Sequence, residues 1–123
     1  MVLAASAAYV GFWALLRPAS FFASFPGGGR SWLSGAGPYN EHLVRDVGAL
    51  YMSLLVVTIA CAIRPHPVWV RLTGVVWLVF SVPHLLYHAS RLIPSGRGGD
   101  QLAGLTGTVL LAGLLCLPVR RQR

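Results

Sequence analysis

Six polar side chains stand in two helically spaced sets: Glu41, His42, Arg45 and Asp46 open one long apolar segment, and His84 and His88 close the next. Residues four apart share a helix face, so Glu41 stands over Arg45, His42 over Asp46 and His84 over His88. Antiparallel neighbours bring the start of one segment level with the end of the other, and the six are therefore expected to converge on one site. Two imidazoles so spaced can hold a metal ion, with Glu41 or Asp46 completing a mixed nitrogen and oxygen set. They can equally ligate haem, or titrate beside carboxylates and move protons in a membrane. The catalytic glutamate of the zinc-protease helix has no counterpart, because Leu85 follows His84. A purely structural reading pairs Glu41 with Arg45 and Asp46 with a histidine, fastening two helices.

The residues around the six extend the candidate site. Asn40 is a suitable cap for the amides that follow, and Glu41 and Asp46 lie in the first turns, where the helix dipole favours negative charge. Further along the same faces come Gly48 and Met52, then Ala49 and Ser53, a small-residue stretch suited to close helix packing. In the next segment Ser81 lies one turn before His84, Arg91 one turn after His88, and Trp77 two turns before His84 as an apolar floor. Pro83 removes one backbone donor and is expected to kink the helix there. Asn40, Glu41, His42, Arg45, Asp46, Trp77, Ser81, His84, Tyr87 and His88 thus form the expected ligand-binding set, with a quinone, a lipid or another small amphiphile as occupant. His84, His88, Glu41 and Asp46 form the expected metal set. Tyr51 offers a further hydroxyl.

Composition decides which elements carry these residues. Of 123 residues 55% are hydrophobic and 11% charged, with a mean hydropathy of +0.65. A soluble domain of this size needs more surface charge. Four apolar stretches, at about residues 1–16, 43–63, 68–90 and 102–119, each approach the ~20 residues that cross a bilayer core. The expected fold is all-α, a four-helix transmembrane bundle forming a single integral-membrane domain over 1–123. A β-barrel is disfavoured because runs such as 52–63 lack alternation. No basic residue precedes the first stretch, which is accordingly read as a span and not as a cleaved signal peptide.

Ten arginines, no lysine and three acids leave a net charge of +7. These arginines fall in loops, tails and segment ends, where headgroup anchoring explains them without nucleic acid. Arg64, Arg71, Arg120, Arg121 and Arg123 on one side against Arg17, Arg30, Arg91 and Arg97 on the other place both termini in the cytoplasm of a plasma membrane. Cys61 and Cys116 have neither paired nor metal-ligand spacing and read as packed thiols. Residues 17–40 form one long connection rich in aromatics, glycine, proline and serine, expected to lie as a lid in the membrane interface with its bend at Gly27, Gly28 and Gly29. Ala103, Gly104, Gly107, Ala112 and Gly113 give the last segment a small-residue surface for packing in the bundle, or in a homo-oligomer or with a partner membrane subunit.

Residues 37–51, Gly-Pro-Tyr-Asn-Glu-His-Leu-Val-Arg-Asp-Val-Gly-Ala-Leu-Tyr, followed by Val-Pro-His-Leu-Leu-Tyr-His at 82–88, resemble small uncharacterised four-helix membrane proteins of actinobacteria over nearly the whole chain. At the level of the fold, the chain is also similar to the DoxX-like group. The first resemblance implies four membrane helices and brings no established activity. The second implies a place as membrane partner of a quinone-linked sulfur or redox enzyme, although no cofactor motif accompanies it.

Overall fold

Prolines, glycines and one asparagine punctuate the chain into its elements. The computed structural model describes residues 1–96 and 98–118. Arg97, Val119, Arg120, Arg121 and Arg123, which entered the orientation argument and the expected end of the last helix, lie outside the described residues. Among the described residues there are five helices: α1 (Val2–Leu16), α2 (Pro18–Ser24), α3 (Glu41–Ile63), α4 (Pro67–Leu92) and α5 (Gly99–Cys116). One antiparallel ladder joins β1 (Pro26–Gly27) to β2 (Arg30–Ser31). Helices α3, α4 and α5 are long and apolar enough to cross a membrane, whereas α1 is apolar but, at 15 residues, reaches only about 22 Å. The chain divides into two compact units, Met1–Val56 and Val57–Arg123.

In the first unit, α1 buries Ala4, Ala7, Gly11 and Ala14, small residues at three- and four-residue spacing that admit another backbone. That backbone is α3. A Cβ on Gly48 would lie 2.7 Å from Leu15 Cγ and 3.1 Å from the Gly11 carbonyl oxygen, so only glycine fits the crossing. Helix α3 starts at Glu41, two residues before the apolar run, because the Asn40 carboxamide oxygen accepts the Leu43 amide at 3.2 Å and satisfies a terminal donor.

The connection between α1 and α3 differs from the expected loop. Pro18 has no amide to lose and a pre-set φ, so it begins α2 directly after Arg17. Phe25, next to Pro26, is held extended and ends the helix. Gly28 and Gly29, at φ +64° and +76°, supply the two left-handed positions of a tight hairpin between β1 and β2. Tyr9 and Trp13 of α1, Phe21 of α2 and Phe25 then assemble a ring cluster, with Phe25 and Trp32 edge to face at 5.5 Å. The Tyr9 hydroxyl donates to the Pro26 carbonyl, and the Trp13 indole to Ser20 Oγ. Periodicity sees apolar spans and overlooks such a fold, whose cohesion is aromatic and local.

In the second unit, α4 begins at Pro67 with His66 Nδ1 accepting the Val68 amide at 3.4 Å, and it continues as helix through Pro83. Helix α5 lies antiparallel against α4. A Cβ on Gly74 would stand 2.8 Å from the Ala112 carbonyl and 2.7 Å from Cys116 Sγ, while at the other end His88 meets Gln101. Ala112, from the small-residue surface of the last segment, is thus spent on the contact with α4, whereas a Cβ on Gly107 or Gly113 would meet nothing within 4 Å. Cys61 and Cys116 are free, and the Cys116 thiol rests on the Ala112 and Arg71 carbonyls.

Candidate functional site

Helix α3 displays its four charged or imidazole residues in its first turns, and they partner one another along the helix. Arg45 Nε donates to Glu41 Oε1 at 2.9 Å, and His42 Nε2 stands 3.3 Å from Asp46 Oδ2. Arg45 does more than pair: its Nη1 donates to the Leu15 carbonyl in the last turn of α1, one of the acceptors that a helix end leaves unsatisfied. The guanidinium therefore ties α1 to α3 while holding Glu41. All four side chains are exposed. Tyr39, just before them, has its hydroxyl held above its ordinary value by desolvation and by the Glu41 carboxylate, with Arg45 acting in the opposite sense.

The α4 residues meet a different environment. His84 and His88 are half-buried, with ring centroids 4.7 Å apart and edge to face, and His84 also stacks on Phe80 at 5.2 Å. His88 Nδ1 lies 3.1 Å from Nε2 of Gln101, which is only 6% exposed in the first turn of α5. The contact ties the imidazole to the first turn of α5. Tyr87 is exposed, its ring under Arg91 at 5.7 Å and edge to face with His88. Trp77 is fully buried, and its indole donates to Thr58 Oγ1 at 2.8 Å.

Between Trp77 and His84 on the same side of α4 lies Ser81, 2% exposed, whose Oγ has no hydrogen-bond partner among the described residues. The α4–α5 register sets it about level with Thr108, whose own hydroxyl is turned back to the Gly104 carbonyl at 3.1 Å. Burying an unsatisfied hydroxyl costs about 1–3 kcal/mol, so a polar partner for Ser81 would be stabilising. Trp77, Ser81, His84 and His88 thus run as a polar track along α4, and Gln101 closes it at one end.

The structure accordingly brings together Glu41 with Arg45, His42 with Asp46, and His84 with His88, and it places Asn40 as the cap of α3. Gln101 is the functional candidate that sequence reading missed. It begins the last apolar segment opposite the end of α4, by the same antiparallel argument used for Glu41 and His42, but the expected helix began at Leu102 and left it out. Among the described residues, no group of three or more His, Cys, Asp or Glu side chains could hold a metal ion. No family model, curated protein or solved structure matches the chain.

Proposed function

We propose that this chain is an integral membrane protein with four crossing helices, α1, α3, α4 and α5, both termini cytoplasmic in a bacterial plasma membrane, and that the polar track of α4 holds the head of a small amphiphile. Three helices long and apolar enough to cross support the membrane reading, and α1, though short, is apolar throughout. The observation that carries the ligand reading is the pairing of His88 with buried Gln101 beside an unpartnered Ser81, all on helices of spanning length. His88 and Gln101 lie near helix ends, but Ser81 stands mid-helix, where a buried hydroxyl without a partner is costly and suits the polar head of a ligand. Trp77 and Phe80 supply the apolar neighbours that the tail of an amphiphile requires.

A hydrogen-bonding role for the imidazoles suits this setting better than metal or haem. Glu41 and Asp46, the carboxylates a metal site would draw upon, already have Arg45 and His42 as partners. The resemblance to DoxX-like proteins agrees with an accessory membrane subunit, which would place a partner protein beside the ligand.

A second reading, assembly alone, is favoured for the α3 cluster by the contact of Arg45 with the Leu15 carbonyl. There the charges fasten one helix to another and need no ligand. Native mass spectrometry of detergent-purified protein separates the two. The ligand reading expects an amphiphile retained by the wild type and lost from His88→Leu, with helical content unchanged in both. A folded wild type that carries only detergent would refute it.

A further inference from the structure

We infer that the end of the second unit built from the α3–α4 turn is a docking surface for anionic phospholipid headgroups, an inference that rests on the membrane reading above and not on the α4 ligand. Helix α3 ends at Ile63 and α4 begins at Pro67, so only Arg64, Pro65 and His66 connect them. Arg64 is exposed in this turn, and Arg71 is exposed in the second turn of α4. A long side chain on a helix leans towards the helix N-terminus, so the Arg71 guanidinium is carried back towards the level of Arg64. Neither guanidinium has a hydrogen bond, an ion pair or a ring partner among the described residues. Other arginines are engaged: Arg45 holds Glu41 and the Leu15 carbonyl, and Arg91 lies over Tyr87.

All three acids of the chain lie elsewhere. Glu41 and Asp46 stand in the first turns of α3, at the other end of that helix from Arg64, and Asp100 starts α5, whose far end is the one that meets this patch. The Cys116 thiol rests 3.9 Å from the Arg71 carbonyl, which brings the last turn of α5 beside the patch. The sequence continues from there to Arg120, Arg121 and Arg123, outside the described residues. Cations gathered without a counter-ion repel one another, so an anion supplied from outside is stabilising. The apolar surroundings decide which anion. Ile63, Val68 and Trp69 border the turn and are 72%, 63% and 57% exposed. An acidic protein domain or a polynucleotide would leave such side chains in water, whereas a bilayer covers them and sets its phosphates at the depth of the arginines and the indole. A zwitterionic headgroup brings its own ammonium, and only one with net negative charge answers an uncompensated pair of guanidiniums.

Immobilised full-length protein in detergent, washed free of lipid, is equilibrated with mixed micelles holding equal amounts of dioleoylphosphatidylglycerol and dioleoylphosphatidylcholine, which share their tails and differ in headgroup charge. Retained lipid is counted by mass spectrometry. The wild type should retain the glycerol lipid in preference, and Arg64→Gln and Arg71→Gln should each lower that preference by about 5-fold. The double variant Arg64→Lys with Arg71→Lys, which keeps the charge, should retain it, and Arg91→Gln at the other end of α4 should leave it unchanged. Raising salt from about 0.05 to about 0.5 M should erode the preference of the wild type, a readout that needs no variant to fold. Equal retention of the two lipids by the wild type overturns the inference. So does a preference that survives both glutamine substitutions together, or one that falls as far with Arg91→Gln. The ligand reading is decided separately, by the amphiphile lost from His88→Leu. A chain that stays in the aqueous fraction of a lysate removes the membrane reading and this inference with it.

Discussion

Gln101 Nε2 meets His88 Nδ1 at 3.1 Å, joining the first turn of α5 to the last turns of α4 through two side chains neither of which is exposed. The bond orients the imidazole, and it also locks the register of the two helices. Its energy is modest, because interhelical hydrogen bonds in membranes average about 0.6 kcal/mol and reach about 1.7. Gln101→Leu and His88→Leu should each destabilise the folded protein by roughly 0.5–1.5 kcal/mol. A double-mutant cycle by denaturation in mixed micelles should give a coupling near 0.6 kcal/mol; strictly additive losses would mean that the bond is not made.

Gly48 should tolerate no side chain. Its added Cβ would meet the backbone nitrogen of Leu15 at 2.9 Å, and backbone cannot move aside as a side-chain tip can. Gly48→Val should cost about 1–3 kcal/mol through overpacking. Gly107→Ala, where a Cβ meets nothing within 4 Å, should be neutral or slightly stabilising, since alanine favours the helix. Thermal unfolding followed by circular dichroism checks the pair, and equal effects at the two glycines would contradict the α1–α3 crossing.

Arg45 has two partners, and its substitutions should separate them. Glu41→Gln removes one exposed ion pair and should change stability by less than about 1 kcal/mol. Arg45→Gln also strips the Leu15 carbonyl of its donor and should cost more than Glu41→Gln, with increased proteolysis between α1 and α3 as the readout. If Glu41→Gln proves the more damaging, the helix-end contact is not what Arg45 provides.

The hairpin depends on two left-handed residues. Replacing Gly28 and Gly29 together by alanine should destabilise the turn by roughly 1 kcal/mol for each position. Because Phe25 and Trp32 flank the hairpin, the change should appear as red-shifted tryptophan emission as the ring cluster loosens. An unchanged spectrum with unchanged stability would show that the turn is not needed to hold the rings together.

Much of the architecture was legible in the residues alone, and the reason is period and punctuation. Long apolar runs without alternation favour helices over half-buried strands, which is why residues 43–63, 68–90 and most of 102–119 appear within α3, α4 and α5. Asn40, Pro67 and the glycines at 28 and 29 act through their own covalent geometry and announce starts and turns to a reader of sequence. The i and i+4 pairs Glu41–Arg45, His42–Asp46 and His84–His88 follow from helical pitch once a helix is granted. Tertiary structure alone decided the rest, because it depends on which faces approach. That Gly48 admits Leu15, that Arg45 caps α1, that residues 18–31 fold against Tyr9 and Trp13, and that His88 answers to Gln101 are all contacts between segments distant along the chain. No periodicity encodes them, since many rotations of an apolar helix bury similar area, and only close approach of small residues and the pairing of a few polar atoms select one.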